Sequence, residues 1–212
     1  MSTKSKILDA AEHLFAIHGF NGTSLREITS QAEVNLAAVN YHFGSKKELI
    51  KAVMSRYMNE LSPRLEAALQ EICDAETKPT LTEVFSAFIE PLLSLNEYKE
   101  NGTSHFLQLL GRSYTDSQGF LRWFLTSHYS GVISNFVKAV YKAYPELTAE
   151  EVFWRLHFTM GTLVFTMSSS NALLDIAKND FDNNIDISGV IHKVIPYIAA
   201  GVAAPIMPLN TQ

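Results

Sequence analysis

The chain has 212 residues, of which 47% are hydrophobic and 18% charged, and its net charge is −5. These values exclude a disordered, fibrous or strongly basic protein and leave an ordered globular chain of one domain or two small ones. A single cysteine, Cys73, excludes an internal disulfide framework, and the seven histidines show no paired metal-ligand spacing. The N-terminal Met-Ser-Thr-Lys-Ser-Lys carries no apolar leader. The longest apolar run, 194–207, is interrupted by Pro196, Gly201 and Pro205. No membrane span is expected, and the chain reads as soluble and cytoplasmic.

Taken in order, the elements are almost all helical, and the fold class is all-α with about nine helices. Residues 5–18 place Ile7, Ala11, Leu14, Phe15 and His18 at helical spacing, and Gly19 stops the run. Ser24 and Glu27 form a capping box for a short helix to Ala32. Asn35 caps a second short helix over 36–43, which Gly44 ends. Ser45 and Glu48 form another capping box, and the helix they open carries Leu49, Val53 and Tyr57, with a break or kink expected near Ser62 because of Pro63. Five further helices follow at 81–95, 104–114, 118–144, 148–178 and 187–204. Pro91 should kink the first of these or end its ladder early.

Residues 19–50 carry the functional signal. Two short capped helices joined by Ala32-Glu33-Val34-Asn35 make a helix-turn-helix by length and pattern. The second helix is too short to stand alone, so Val34, Val39 and Phe43 face its neighbours. Ala37, Ala38, Asn40 and Tyr41 then point away from the core. Small residues let a helix approach bases closely, Asn40 can bond an adenine edge twice, and Leu36 can touch a thymine methyl. Tyr41, His42, Lys46 and the hydroxyls of Thr23 and Ser24 are natural phosphate partners. Residues 1–60 hold seven Lys/Arg against six Asp/Glu, and the remainder ten against sixteen. A near-neutral N-terminal piece on an acidic body can still bind phosphates if its cations cluster.

The stretch from Lys6 to Leu49 resembles the DNA-binding domain of TetR-family regulators. The resemblance rests on Ala10-Ala11, Phe15, Gly19-Phe20, Thr23-Ser24-Leu25-Arg26-Glu27-Ile28 and Val39-Asn40-Tyr41-His42-Phe43-Gly44-Ser45-Lys46. It implies a helix-turn-helix domain over 1–61, with the motif at about 24–43, and an effector-binding and dimerisation domain over 62–212. It further implies a homodimer built on the last two helices and double-stranded DNA with a palindromic operator as partner. Thr23, Ser24, Arg26, Asn35, Leu36, Ala37, Ala38, Asn40, Tyr41, His42 and Lys46 are the implied DNA-binding positions. The family often has Gly where this chain has Glu33, and at positive φ that residue would cost about 1 kcal/mol. The head string from Val34 to Lys47, with Leu109-Leu110-Gly111, residues 117–122 and residues 153–158, is similar to regulators of the PsrA type. Those respond to long-chain fatty acids, which implies a fatty acid or acyl-coenzyme A effector and control of fatty-acid metabolism genes.

Eighteen of the 23 aromatic residues lie after residue 60. Phe85, Phe88, Phe120, Phe136 and Phe165 are among those that fill a core or line an elongated apolar cavity. The candidate ligand-binding set is Phe106, Trp123, Phe124, Trp154, Arg155, His157 and Phe158, with Met160 and Met167 as adaptable wall residues. Arg112, Arg122, Arg155 and His157 are candidate anchors for a carboxyl or thioester end. In the last helix Val190, Val194, Tyr197, Ile198, Gly201 and Val202 share one broad face, which is the expected dimer seam. Catalytic Gly-rich and nucleophile motifs are absent, so no catalytic residue, metal or cofactor is expected. Two other readings stay open. One is a TetR-type repressor of an efflux or stress operon; the other is a helical lipid-binding protein or enzyme.

Overall fold

A computed structural model describes residues 2–116 and 120–206. Every regular element among them is helical. Helix α1 (Thr3–Gly22) leaves helical geometry at Gly19 (φ 73°, ψ 175°), so the apolar run ends where the glycine predicts. Helices α2 (Leu25–Gln31) and α3 (Leu36–Phe43) follow, then α4 (Lys46–Asp74). Ile7, Ala11 and Phe15 of α1, Ile28 of α2, Val39 and Phe43 of α3, and Leu49, Ile50 and Val53 of α4 pack together at one end of a core that continues into the rest of the chain. That core holds the two short helices that could not persist alone.

Helix α4 does not break at Ser62. It carries Pro63 inside a continuous 29-residue run. Pro63 and Asn59, which lose one ladder bond between them, both lie on the exposed side, where water can take the freed carbonyl. The second capping box is half formed: Ser45 Oγ accepts the Glu48 N–H (3.2 Å), while the Glu48 carboxylate pairs with Lys51 (2.9 Å). At the other end Lys142 Nζ donates to the carbonyls of Ile72 (3.0 Å) and Cys73 (2.9 Å), placing a cation on the negative end of the helix.

Among the described residues thirteen helical segments stand where about nine were expected, because three expected helices are each interrupted. Residues 81–95 become α5 (Leu81–Ser86), α6 (Ile89–Leu93) and α7 (Leu95–Tyr98). Pro91 has no N–H for the Ala87 carbonyl and sits instead in the first turn of a new helix, where none is needed. Helix α8 (Gly102–Asp116) starts at a glycine packed so closely on the Leu95 carbonyl that a Cβ would lie 2.1 Å from its oxygen. Residues 118–144 divide into α9 (Phe120–His128) and α10 (Ser130–Ala143) at Tyr129 (φ −120°, ψ 37°). Residues 148–178 divide into α11 (Ala149–Ser168) and α12 (Ser170–Phe181) at Ser169, within a serine run that favours caps over helix interiors. Helix α13 (Ile187–Ala203) completes the order.

In the body α10 packs on α4, α8 lies between α1 and α11, and α13 packs on α5 and α11. Phe85 and Phe88 each meet the Phe136 ring edge to face, at 5.6 and 5.2 Å. These aromatics are core, the simpler of the two readings.

Candidate nucleic-acid interface

The turn between α2 and α3 is a Schellman motif. The Val34 N–H donates to the Thr29 carbonyl (3.0 Å) and the Glu33 N–H to the Ser30 carbonyl (3.2 Å). This closure puts Glu33 at φ 54°, the conformation flagged by the missing glycine. An L-residue there costs about 1–2 kcal/mol, and glycine's greater freedom when unfolded offsets about half of that. Glu33→Gly is therefore expected to stabilise the fold by about 0.5–1 kcal/mol, raising the melting temperature by about 1–4 °C in a calorimetric scan. A fall in melting temperature would contradict this assignment of strain.

Both short helices are capped as the sequence indicates. Ser24 Oγ accepts the Glu27 N–H (3.2 Å), and Glu27 accepts the Ser24 N–H in return (2.6 Å). Those bonds, the backbone one first, hold the Glu27 carboxyl below its ordinary range. Asn35 Oδ1 accepts the Ala38 N–H (2.9 Å), and Gly44 at φ 74° ends α3. The result is a rigid, two-turn helix with a defined outer face.

On that face Leu36, Ala37, Asn40 and Tyr41 are exposed, Tyr41 to 85%. Arg26, Ser24 and Asn35 are exposed on the flank. His42 is half-buried with its ring 5.1 Å from that of Tyr41, and Lys46 Nζ lies 4.4 Å from the centre of the Phe20 ring. Two expected positions need correcting. Thr23 is 1% exposed, and its hydroxyl donates to the carbonyls of Gly19 (2.8 Å) and Leu14 (3.2 Å). The backbone turn at Gly19 brings those carbonyls to it, so Thr23 holds α1 to α2 and its hydroxyl is not offered to phosphate. Ala38 is half-buried against the core and does not point away from it. Exposed Lys47, beside Lys46 in the first turn of α4, was not among the expected phosphate partners. Its position two residues after the Ser45 cap was the available signal.

The expected ligand-binding set does not converge. Phe106 is buried against Tyr57, with ring centres 5.6 Å apart. Phe124 is buried and Trp123 exposed on α9, with Lys51 Nζ about equally far from both rings, at 5.8 and 6.0 Å. Trp154 and Phe158 are 50% and 66% exposed and stack on each other along the outer face of α11 (6.0 Å), with exposed His157 beside them. Arg155 is the inward exception. Its Nε donates to Glu151 (2.7 Å) and its Nη1 to the carbonyls of Val202 (2.6 Å) and Ala204 (2.5 Å). All this binds the end of α13 to α11 and engages Arg155 within the subunit. Side chains of Arg112, Phe120 and Arg122, and the whole of residues 117–119, lie outside the described residues. Arg155→Met, which keeps the packing and removes the three bonds, is expected to cost about 2–3 kcal/mol in urea unfolding. An unchanged midpoint would show that these bonds contribute nothing.

A shallow apolar cavity of about 320 Å³ lies between α5, α10 and α13, lined by Leu81, Ala143, Tyr144, Pro196 and Ala199. None of the expected ligand residues lines it. Among the described residues no group of three His, Cys, Asp or Glu side chains is placed to hold a metal, and no helix is long and apolar enough to cross a membrane.

The outer face of the expected dimer seam also differs. Val190, Ile198 and Val202 are buried within the subunit, against α5 and α11, and Val194 is half-buried. Tyr197 and Gly201 face outward.

Comparison with known proteins agrees with this geometry. Residues 7–53 match the family described as bacterial regulatory proteins, tetR family, and residues 86–201 match the tetracyclin repressor-like C-terminal domain. This chain belongs to the TetR family. It is a DNA-binding transcriptional regulator, as the family's members are, and not an enzyme. Among relatives, the probable regulator YttP of Bacillus subtilis is 38% identical over 84 residues, 40% of this chain and 41% of that one. The activator FasR of Mycolicibacterium smegmatis is 31% identical over 88 residues, 41% of this chain and 40% of that one. The matches thus span about two fifths of the relatives' own length. The solved structure of the fatty acid degradation regulator FadR from Bacillus halodurans shares the fold. It has a TM-score of 0.59 at 14% identity, covering 95% of this chain and 96% of that one.

Proposed function

We propose that the protein is a homodimeric repressor that reads a palindromic operator in double-stranded DNA and is released by an apolar effector, a long-chain fatty acid or its coenzyme A thioester. In this reading residues 1–61 read DNA, residues 62–212 bind effector and dimerise, and the repressor works in the cytoplasm on fatty-acid metabolism genes. The observation that carries the DNA half is the face of α3: Leu36, Ala37, Asn40 and Tyr41 exposed on a capped helix, with Ser24, Arg26, His42, Lys46 and Lys47 around it. Small and bidentate groups at the centre with cations and hydroxyls at the rim suit base edges and phosphates respectively.

The dimer half rests on the outer faces of α11 and α13. Phe153, Trp154, Phe158 and Phe165 are exposed along one side of α11, and Tyr197 is exposed on α13. A Cβ added at Gly161 or Gly201 would meet nothing within 4 Å among the described residues. A second copy covers such a stripe with closed two-fold symmetry, and the two heads then meet half-sites at a fixed spacing.

The effector half rests on the resemblance to PsrA-type regulators and on the fold shared with the fatty acid degradation regulator FadR. An apolar chain contributes about 0.8 kcal/mol per buried methylene, so affinity should climb with chain length until no further methylene can be buried. Gel-shift titration with acyl chains of increasing length is expected to release the operator more readily as the chain grows. Release by a cationic or aromatic drug, with none by any acyl chain, replaces this reading with an efflux-type regulator.

A further inference from the structure

A second cavity, of about 150 Å³, lies between α1 and the α7–α8 region. Glu12 and His13 of α1 line one side; Lys99, His105 and Gln108 line the other. Glu12 is 2% exposed, and both its carboxylate oxygens already accept hydrogen bonds. The Tyr57 hydroxyl donates to Oε1 (2.6 Å), Lys99 Nζ donates to the same oxygen, and Arg56 Nη1 donates to Oε2 (3.3 Å). Arg56 also holds Asp9 (2.7 Å), so two carboxylates and two cations balance. Burial, with the Glu12 carboxylate next, keeps the Tyr57 phenol neutral, well above its ordinary range.

The groups that remain along the cavity can supply donors. They comprise the other protons of the Lys99 ammonium, two imidazoles and the Gln108 amide. His105 Nδ1 is buried and has no hydrogen-bond partner among the described residues. A buried polar atom left unmet is costly, and such atoms are few in folded proteins. Burial, with the Lys99 charge second, holds the His105 imidazole below its ordinary pKa against the opposing pull of Glu12, and a bound anion would add to that upward pull.

We propose that this cavity binds a small oxyanion, a carboxylate or a phosphate of a few heavy atoms, on Lys99, His105 and Gln108. The volume excludes a long acyl chain, so the site is separate from the effector site proposed above. Its walls come from α1, which packs against the reading helices, and from α7–α8 of the body. A ligand bound on Lys99, His105 and Gln108 and met across the cavity by His13 of α1 prefers one spacing between the two walls, and by linkage its occupancy alters operator affinity. The binding half is independent of the DNA reading; the linkage half rests on it.

The test is a titration of the full-length protein, at constant ionic strength, with acetate in one arm and inorganic phosphate in the other, following the His105 ring by NMR. A saturable shift with acetate assigns a carboxylate site, and one with phosphate assigns a phosphate site. Lys99→Met and Gln108→Leu should each weaken the binding by about tenfold, as expected for loss of a charge-assisted or well-placed bond. Gln108→Leu lies outside the Glu12 network and reports on the site even if Lys99→Met unfolds. No saturable shift in either arm, or an equal shift in Gln108→Leu, overturns the site and leaves the DNA-binding assignment untouched. Operator affinity unchanged at saturating anion overturns the linkage.

Discussion

Gly201→Trp is expected to separate the dimer into folded monomers and to weaken operator binding by about 10²–10⁴-fold, the range that linking two binding modules supplies. Among the described residues nothing lies within 4 Å of a Cβ at Gly201, so the new side chain leaves the helix into open space. Val202 and Ile198, which anchor α13 inward, stay in place. Only a partner packed closely on the outer face would clash. Sedimentation should show a monomer with unchanged helicity for the variant and a dimer for the wild type at micromolar concentration. A variant that sediments as the wild-type dimer places the interface elsewhere.

Asn40→Ala should relax discrimination and leave general DNA affinity nearly intact. A bidentate contact to an adenine edge is worth about 1–3 kcal/mol. With one head on each half-site, the loss falls at two symmetric base pairs and sums to about 2–6 kcal/mol if the sites are independent. The side chain is exposed, whereas Val39 beside it is fully buried, so the change removes a reader and spares the fold. Tyr41→Ala should behave differently. Its exposed ring stands beside the Asn40 position on the rim of α3, where a hydroxyl meets phosphate, so its loss weakens all sequences by a similar factor. Equal losses on specific and random DNA for Asn40→Ala would remove it from base reading.

The head was legible in the sequence because its determinants are short-range. Ser24, Asn35 and Gly44 each act on backbone groups within four residues, and these bonds form as the residue types dictate. Even the strain at Glu33 was visible, as a glycine position filled by another residue. Thr23 was misread because its partners depend on the backbone turn at Gly19, which folds a carbonyl back onto it.

The body was less legible because its determinants are long-range. Arg155 finds carbonyls 47 and 49 residues away, and no local pattern announces them. The aromatics of α11 have helical periodicity, but periodicity does not distinguish a face turned to the core, to a ligand or to a second subunit. Trp154 and Phe158 face outward, and Phe106 and Phe124 face inward. The interruption at Tyr129 has no proline to mark it. It lies where α10 begins against α4, with the Tyr129 hydroxyl donating to Asn59 (3.3 Å) and Gly131 lying against Glu66.

Selection of binding sites from random duplex DNA tests the central claim most directly. The full-length protein is incubated with the pool near physiological salt, since phosphate contacts strengthen at low salt and mask base reading. The account predicts enrichment of a two-fold symmetric sequence, with half-sites at a fixed spacing and a specified base pair in each that Asn40→Ala no longer selects. A pool that stays random after repeated rounds, or one that enriches a sequence without two-fold symmetry, would contradict it.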